Sequence, residues 1–296
     1  MMKPLRPGDR IALIAPSSPF EEDKFEKARG LVEARGYTLS AGAHAFTRKG
    51  YLAGTEGERA ADLIDAICDP DVSAIMCIRG GYGSGRLLPW LPFSKLESKA
   101  KILIGFSDIT FLHLAFSSRM RWTTFHGPNL LDLGDGAERC NSVLRALEGE
   151  ASFSWTLQEH NIWRRGSVKG PIIGGNLTCL SHLLGTPYLP DFRGALLLVE
   201  DCSEALYRLD RMFTQLKLAG ILDQIGGLIL GEFTDCSDDA MLRSMIMEQV
   251  NPYRFPVVGG LPFGHIPENE TIPFGIPFEL NTYDHLLQVL KHPFRR

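Results

Sequence analysis

The chain has 296 residues, of which 44% are hydrophobic, and carries a formal net charge of −4. That is enough apolar content for a large core, divided over about two domains. The charge excludes a general nucleic-acid binder, which needs a concentrated basic face, and no apolar run reaches the roughly 18–20 residues that span a bilayer.

In chain order, Arg10–Ala15 is a short apolar run ended by Pro16-Ser-Ser-Pro19, which predicts a buried parallel strand. Helical periodicity over Glu21–Arg35 follows and stops at Gly36, with a second strand at Tyr37–Ser40. Glu56–Cys68 predicts an amphipathic helix with Ala60, Leu63, Ile64 and Ile67 on one face. Ala74–Ile78 is a third strand that runs directly into Arg79-Gly-Gly-Tyr-Gly83, and Lys101–Gly105 a fourth, followed by a helix over Thr110–Phe116. This alternation predicts a parallel sheet with ligands outside the carboxyl ends of its strands. The loops 16–19, 79–83 and 105–108 all fall there. The pattern changes near residues 150–168. Strands are then expected at 170–176, 195–199, 226–231 and 277–281, with a helix over 205–218.

Ile102-Leu-Ile-Gly-Phe-Ser-Asp108 has the form of a nucleophile elbow, in which a serine hydroxyl stands at a sharp strand-to-helix turn. Ser107 is therefore the candidate nucleophile, although Ile109 occupies the place of the second glycine in G-x-S-x-G, and Ser-Asp also suits an ordinary helix N-cap. A serine nucleophile needs a base and a group that orients the base. Of eight histidines, His160 and His292 lie in polar segments, while His113, His126 and His265 stay open as bases. Glu200 closes the apolar run 195–199, where an unpaired carboxylate would be costly. It serves equally as the orienting group or as a partner for Arg208 or Arg211. The glycines of 79–83 would let backbone N–H groups approach an oxyanion, but the loop lacks the spacing of a phosphate cradle. Arg79 is a candidate carboxylate grip, and Arg86 a surface ion pair. The six cysteines (68, 77, 140, 179, 202 and 236) show neither zinc nor disulfide spacing and are expected to be reduced and structural.

With these segments assembled, the chain resembles the serine LD-carboxypeptidases, which include murein tetrapeptide carboxypeptidases and microcin C self-immunity peptidases. The resemblance is carried by Ile11–Ser17, Tyr51–Gly54 with Arg59-Ala-Ala-Asp62, Ile78–Gly83, Gly105–Thr110 and His126-Gly-Pro128. It continues through Gly174–Leu177, Leu198–Asp201, Tyr207–Arg211 and Gly260–Pro267, nearly the length of the chain. It implies a Ser107–Glu200–His265 triad, an oxyanion hole from the Asp108 and Gly81 amides, and substrate contacts from Arg79, Gly80 and Tyr82. The implied fold is an N-terminal flavodoxin-like α/β domain, similar to class I amidotransferases (1–165), and a C-terminal swivelling β/α domain (166–296). The implied reaction is release of terminal D-alanine from murein tetrapeptide in peptidoglycan recycling. The alternative is a microcin C-type peptidase acting on a peptidyl or aminoacyl adenylate analogue, for which Trp163 or Tyr188 could offer an aromatic platform. The resemblance further implies no metal or organic cofactor and a homodimer. No nucleic-acid or membrane partner is expected, and the location is expected to be cytoplasmic.

Overall fold

The computed structural model describes residues 2–295. They form two compact units, one running through Ala151 and taking up Glu270–Pro273 and the segment from Pro293, the other holding Ser152–Asn269 and Phe274–His292. Among the described residues no helix is long and apolar enough to cross a membrane.

The first unit is built on β1 (Arg10–Ile14), β2 (Thr38–Ala41), β3 (Val72–Cys77), β4 (Ile102–Gly105) and β5 (Thr124–His126). They lie in the order β2-β1-β3-β4-β5, all parallel, with Ile272–Phe274 beyond β5. The helices are α1 (Glu22–Glu33), α2 (Glu56–Cys68), α3 (Phe93–Leu96), α4 (Thr110–Met120), α5 (Leu130–Leu133) and α6 (Ala137–Leu147). The apolar runs read as strands are buried on both faces: Ile11, Leu13, Ile75, Met76, Leu103 and Ile104 are each at most 1% exposed. Helix α2 starts at a capping box, in which Thr55 accepts from the Glu58 amide and Glu58 accepts from that of Thr55. It buries Ala60, Leu63, Ala66 and Ile67.

The second unit carries a mixed sheet. Its strands are β6 (Ser154–Thr156), β7 (Ile162–Arg164), β8 (Ser167–Asn176), β9 (Leu196–Cys202), β10 (Gly227–Thr234) and β11 (Val257–Val258), together with Pro277–Asn281 and Leu286–Val289. Strands β8, β9, β10 and β11 are parallel neighbours, β7 closes one edge antiparallel, and the two late strands with β6 extend the other edge antiparallel. Helices α7 (Leu177–His182), α8 (Leu206–Leu218) and α9 (Asp239–Gln249) connect them. The chain changes unit at Ala151–Ser152, ahead of residue 165, because β6 and β7 take their pairing partners from this second sheet.

Candidate active site

In the first unit the loops after β1, β3 and β4 are tied together. Ser107 has φ of 65°, the left-handed region that a non-glycine residue occupies at a cost of about 1–2 kcal/mol. Extended Phe106 precedes it, and a 3₁₀ turn over Ser107–Ile109 leads into α4. Gly105 makes the approach possible, since a Cβ there would lie 2.9 Å from both Asn129 Oδ1 and Ile109 Cγ1. Ile109 is fully buried core, so the turn needs no glycine at that place. The bare backbone comes from the neighbouring loop instead. A Cβ on Gly80 would stand 2.9 Å from Ser107 Cβ and 3.2 Å from its Oγ.

Asp108 is expected for its amide, but its side chain is equally engaged. Its buried Oδ2 accepts from the Ser17 hydroxyl at 2.5 Å and the Ser84 amide at 2.7 Å, while its carbonyl accepts from Ser84 Oγ at 2.5 Å. Ser18 completes the tie. Its Oγ accepts from the Tyr82 amide at 3.1 Å, and a Cβ on Gly81, whose φ is 109°, would fall 2.4 Å from that oxygen. Nothing in the sequence distinguishes Ser17, Ser18 and Ser84 from other serines; only the prolines and glycines around them carry a signal. Arg79 donates from Nη1 to the Pro19 carbonyl at 3.1 Å. Tyr82 is 53% exposed and meets Tyr51 edge-on at 5.7 Å. Arg86 forms the expected ion pair, with Glu56.

His113 of α4 is buried between the Gly105 carbonyl and Thr124 Oγ1, each 2.8 Å away. Burial pushes its pKa down to about 4, against the hydrogen bond to Gly105. It is a neutral strut under the elbow. His126 is also fully buried.

In the second unit Glu200 stands near the end of β9, fully buried, with Oε2 2.7 Å from His265 Nδ1. The two alternative partners, Arg208 and Arg211, are otherwise occupied: Arg208 meets Glu204, and Arg211 lies over the Tyr207 ring. Two glycines make room for the carboxylate. A Cβ on Gly264, whose φ is 119°, would lie 2.7 Å from Glu200 Oε2, and one on Gly231 would lie 2.4 Å from the Phe263 carbonyl and 3.1 Å from Glu200 Cβ. With Nδ1–H directed at Glu200, a neutral imidazole is held in the tautomer whose basic nitrogen is Nε2. Burial raises the Glu200 pKa, opposed by the hydrogen bond from His265. Burial works to lower the His265 pKa, but the Cys202 sulfur and the hydrogen bond with Glu200 outweigh it and hold the imidazole well above its usual range. The neighbouring Asp201 carboxylate instead accepts from Asn176, from Thr178 and from the Cys202 amide, fixing the start of α7.

A strained serine on one unit and a carboxylate–imidazole pair on the other are, each taken by itself, residue types that serine hydrolases use. Family profiles described as the LD-carboxypeptidase N-terminal and C-terminal domains match residues 11–127 and 169–280. The chain belongs to the LD-carboxypeptidase family. It is 36% identical over 282 residues to the murein tetrapeptide carboxypeptidase of Pseudomonas aeruginosa, covering 90% of this chain and 91% of that one. The crystal structure of muramoyltetrapeptide carboxypeptidase from Oxalobacter formigenes superposes with a TM-score of 0.85 at 31% identity, covering 96% and 99% of the two chains. The microcin C7 self-immunity protein MccF in its wild-type apo state gives a TM-score of 0.90 at 25% identity, over 100% and 99%.

Proposed function

We propose that this chain is a serine-type LD-carboxypeptidase that hydrolyses the L,D-amide bond of a murein tetrapeptide and releases its terminal D-alanine. The observation that carries the reading is the 2.7 Å contact of Glu200 Oε2 with His265 Nδ1, the carboxylate–imidazole pairing that orients a general base. In this reading Ser107 Oγ loses its proton to His265 as it attacks the amide carbonyl, and the Asp108 and Gly81 amides receive the oxyanion. His265 then protonates the leaving D-alanine nitrogen as the C–N bond breaks, and water hydrolyses the Ser107 ester by the same route. Arg79, Gly80 and Tyr82 contact the substrate. The strand order β2-β1-β3-β4-β5 supports a flavodoxin-like assignment for the first unit; the second is read as a swivelling β/α domain. A cytoplasmic location and a homodimer complete the proposal, with Ser107 supplied by the first domain and Glu200 and His265 by the second.

Likeness to MccF motivates the second reading, cleavage of an aminoacyl adenylate analogue. Trp163 offers that reading little, because its indole lies against Gly259, where a Cβ would be 2.3 Å from the ring, and Arg243 stands 5.3 Å over its centre. The test is D-alanine release from L-Ala-γ-D-Glu-meso-diaminopimelate-D-Ala by wild type and by Ser107→Ala, with aspartyl sulfamoyl adenosine as a parallel substrate. Release of D-alanine by the wild type alone supports both reaction and nucleophile. Cleavage of the nucleoside substrate only would move the chain to the second reading.

A further inference from the structure

Arg59 is one of the largest fully buried side chains in the protein, 1% exposed, in the first turns of α2. Its Nη1 donates both to the Pro16 carbonyl and, at 2.8 Å, to the Gly83 carbonyl. Those two carbonyls flank the same junction that Asp108 holds from the other side through Ser17 and Ser84. The Gly83 approach is close: a Cβ there would sit 2.9 Å from Arg59 Nη1. Nε and Nη2 make no hydrogen bond among the described residues. Among the described residues Arg59 therefore sits as a buried cation with no salt bridge to a carboxylate, an arrangement that general stability arguments disfavour. The charged groups that face it are Glu56 and Asp108, with Arg86 opposing them.

We propose that Arg59 is a positioning residue for catalysis: it clamps the loops after β1 and β3 so that Gly80 is held against Ser107 and Gly81 against Ser18. A buried Met of similar length would fill the space equally well and would spare the cost of desolvating a charge. What Met cannot do is donate to the two carbonyls that Nη1 bridges. The clamp acts through Ser18, which bonds the Gly80 carbonyl and the Tyr82 amide, on the stretch that presents the oxyanion donors.

The proposal rests on Ser107 being the nucleophile, and the experiment separates the two. Steady-state D-alanine release from the tetrapeptide is measured for wild type, Ser107→Ala, Arg59→Lys and Arg59→Met, each checked for folding by near-ultraviolet circular dichroism and its thermal transition. Arg59→Met is expected to lower kcat at least 100-fold with KM within about threefold, because the loss falls on oxyanion geometry and not on peptide binding. Arg59→Lys, which keeps the charge on a shorter side chain that falls short of the Nη1 position, is expected to recover only part of that loss. Folded Arg59→Met or Arg59→Lys with wild-type kcat overturns the proposal, as does a loss confined to KM. If Arg59→Met does not fold, Arg59→Lys decides the question by the same kcat and KM criteria; if neither folds, Arg59 serves stability alone and the proposal is overturned. Undiminished turnover by Ser107→Ala would instead overturn the nucleophile assignment.

Discussion

Gly80→Ala is a single-methyl test of the elbow. Gly80 does not occupy the left-handed region, so alanine can adopt its backbone and any effect is steric. The added Cβ would lie 2.9 Å from Ser107 Cβ, 3.2 Å from Oγ and 3.3 Å from the Phe106 carbonyl. Carbon atoms rest at about 3.5–4.0 Å, so the serine or the loop must retreat by roughly 0.6–1 Å. A displacement of about 1 Å at a reacting atom costs on the order of 100-fold in rate, which is about 2.7 kcal/mol of barrier. The same overlap costs folding about 1–3 kcal/mol, too little to unfold a domain of ordinary stability of about 5–15 kcal/mol. The assay is kcat for D-alanine release together with urea unfolding of the same preparation. A folded Gly80→Ala enzyme whose kcat stays within threefold of wild type would refute the argument that this glycine exists to admit Ser107.

Glu200→Gln should lower kcat by about 10³–10⁴-fold, as neutralising the orienting carboxylate does in serine triads; a loss under tenfold contradicts this role. Cys202→Ala removes a partner that raises the His265 pKa. The imidazole acts as base only when neutral, so the acid limb of kcat/KM should move to lower pH, and an unchanged limb contradicts the contact's importance. His113 binds its proton near pH 4 when folded and about 6.5 when unfolded, so the unfolded chain holds more protons between those values. Stability should therefore fall as pH drops through that window, by up to roughly 3 kcal/mol, and His113→Gln should flatten that dependence in urea titrations even though it is less stable at pH 7.

Local pattern carried much of the fold. Helix α2 spans Glu56–Cys68 as its periodicity predicts. β1 and β3 match to within a residue or two, since runs such as Ile11–Ile14 read as buried strand whatever surrounds them. Helix α4 runs past Phe116 to Met120 because it ends on left-handed Arg121, a residue that carries no stop signal of its own. The site divided along the same line. Glycines flanking Ser107 were visible because a bare backbone leaves a compositional mark. Ser17 bonding Asp108 across 91 residues, and Ser84 bonding the same carboxylate from another loop, leave none, because such contacts are decided by topology. The choice among His113, His126 and His265, which spacing left open, turns in space on what each ring touches: a carbonyl and a hydroxyl for His113, a buried carboxylate for His265.

Asp108 has two occupations at one position, an amide beside the proposed nucleophile and a carboxylate that cross-links two loops. Alanine scanning is blind to the first and removes the second, so a dead Asp108→Ala enzyme would report on loop architecture while inviting the opposite attribution. Only backbone editing, an amide-to-ester exchange at residue 108 with the side chain kept, would isolate the N–H. The position is also closed to gradual change, since asparagine keeps the shape but loses the charge, and glutamate lengthens a carboxyl that already sits 2.5 Å from Ser17.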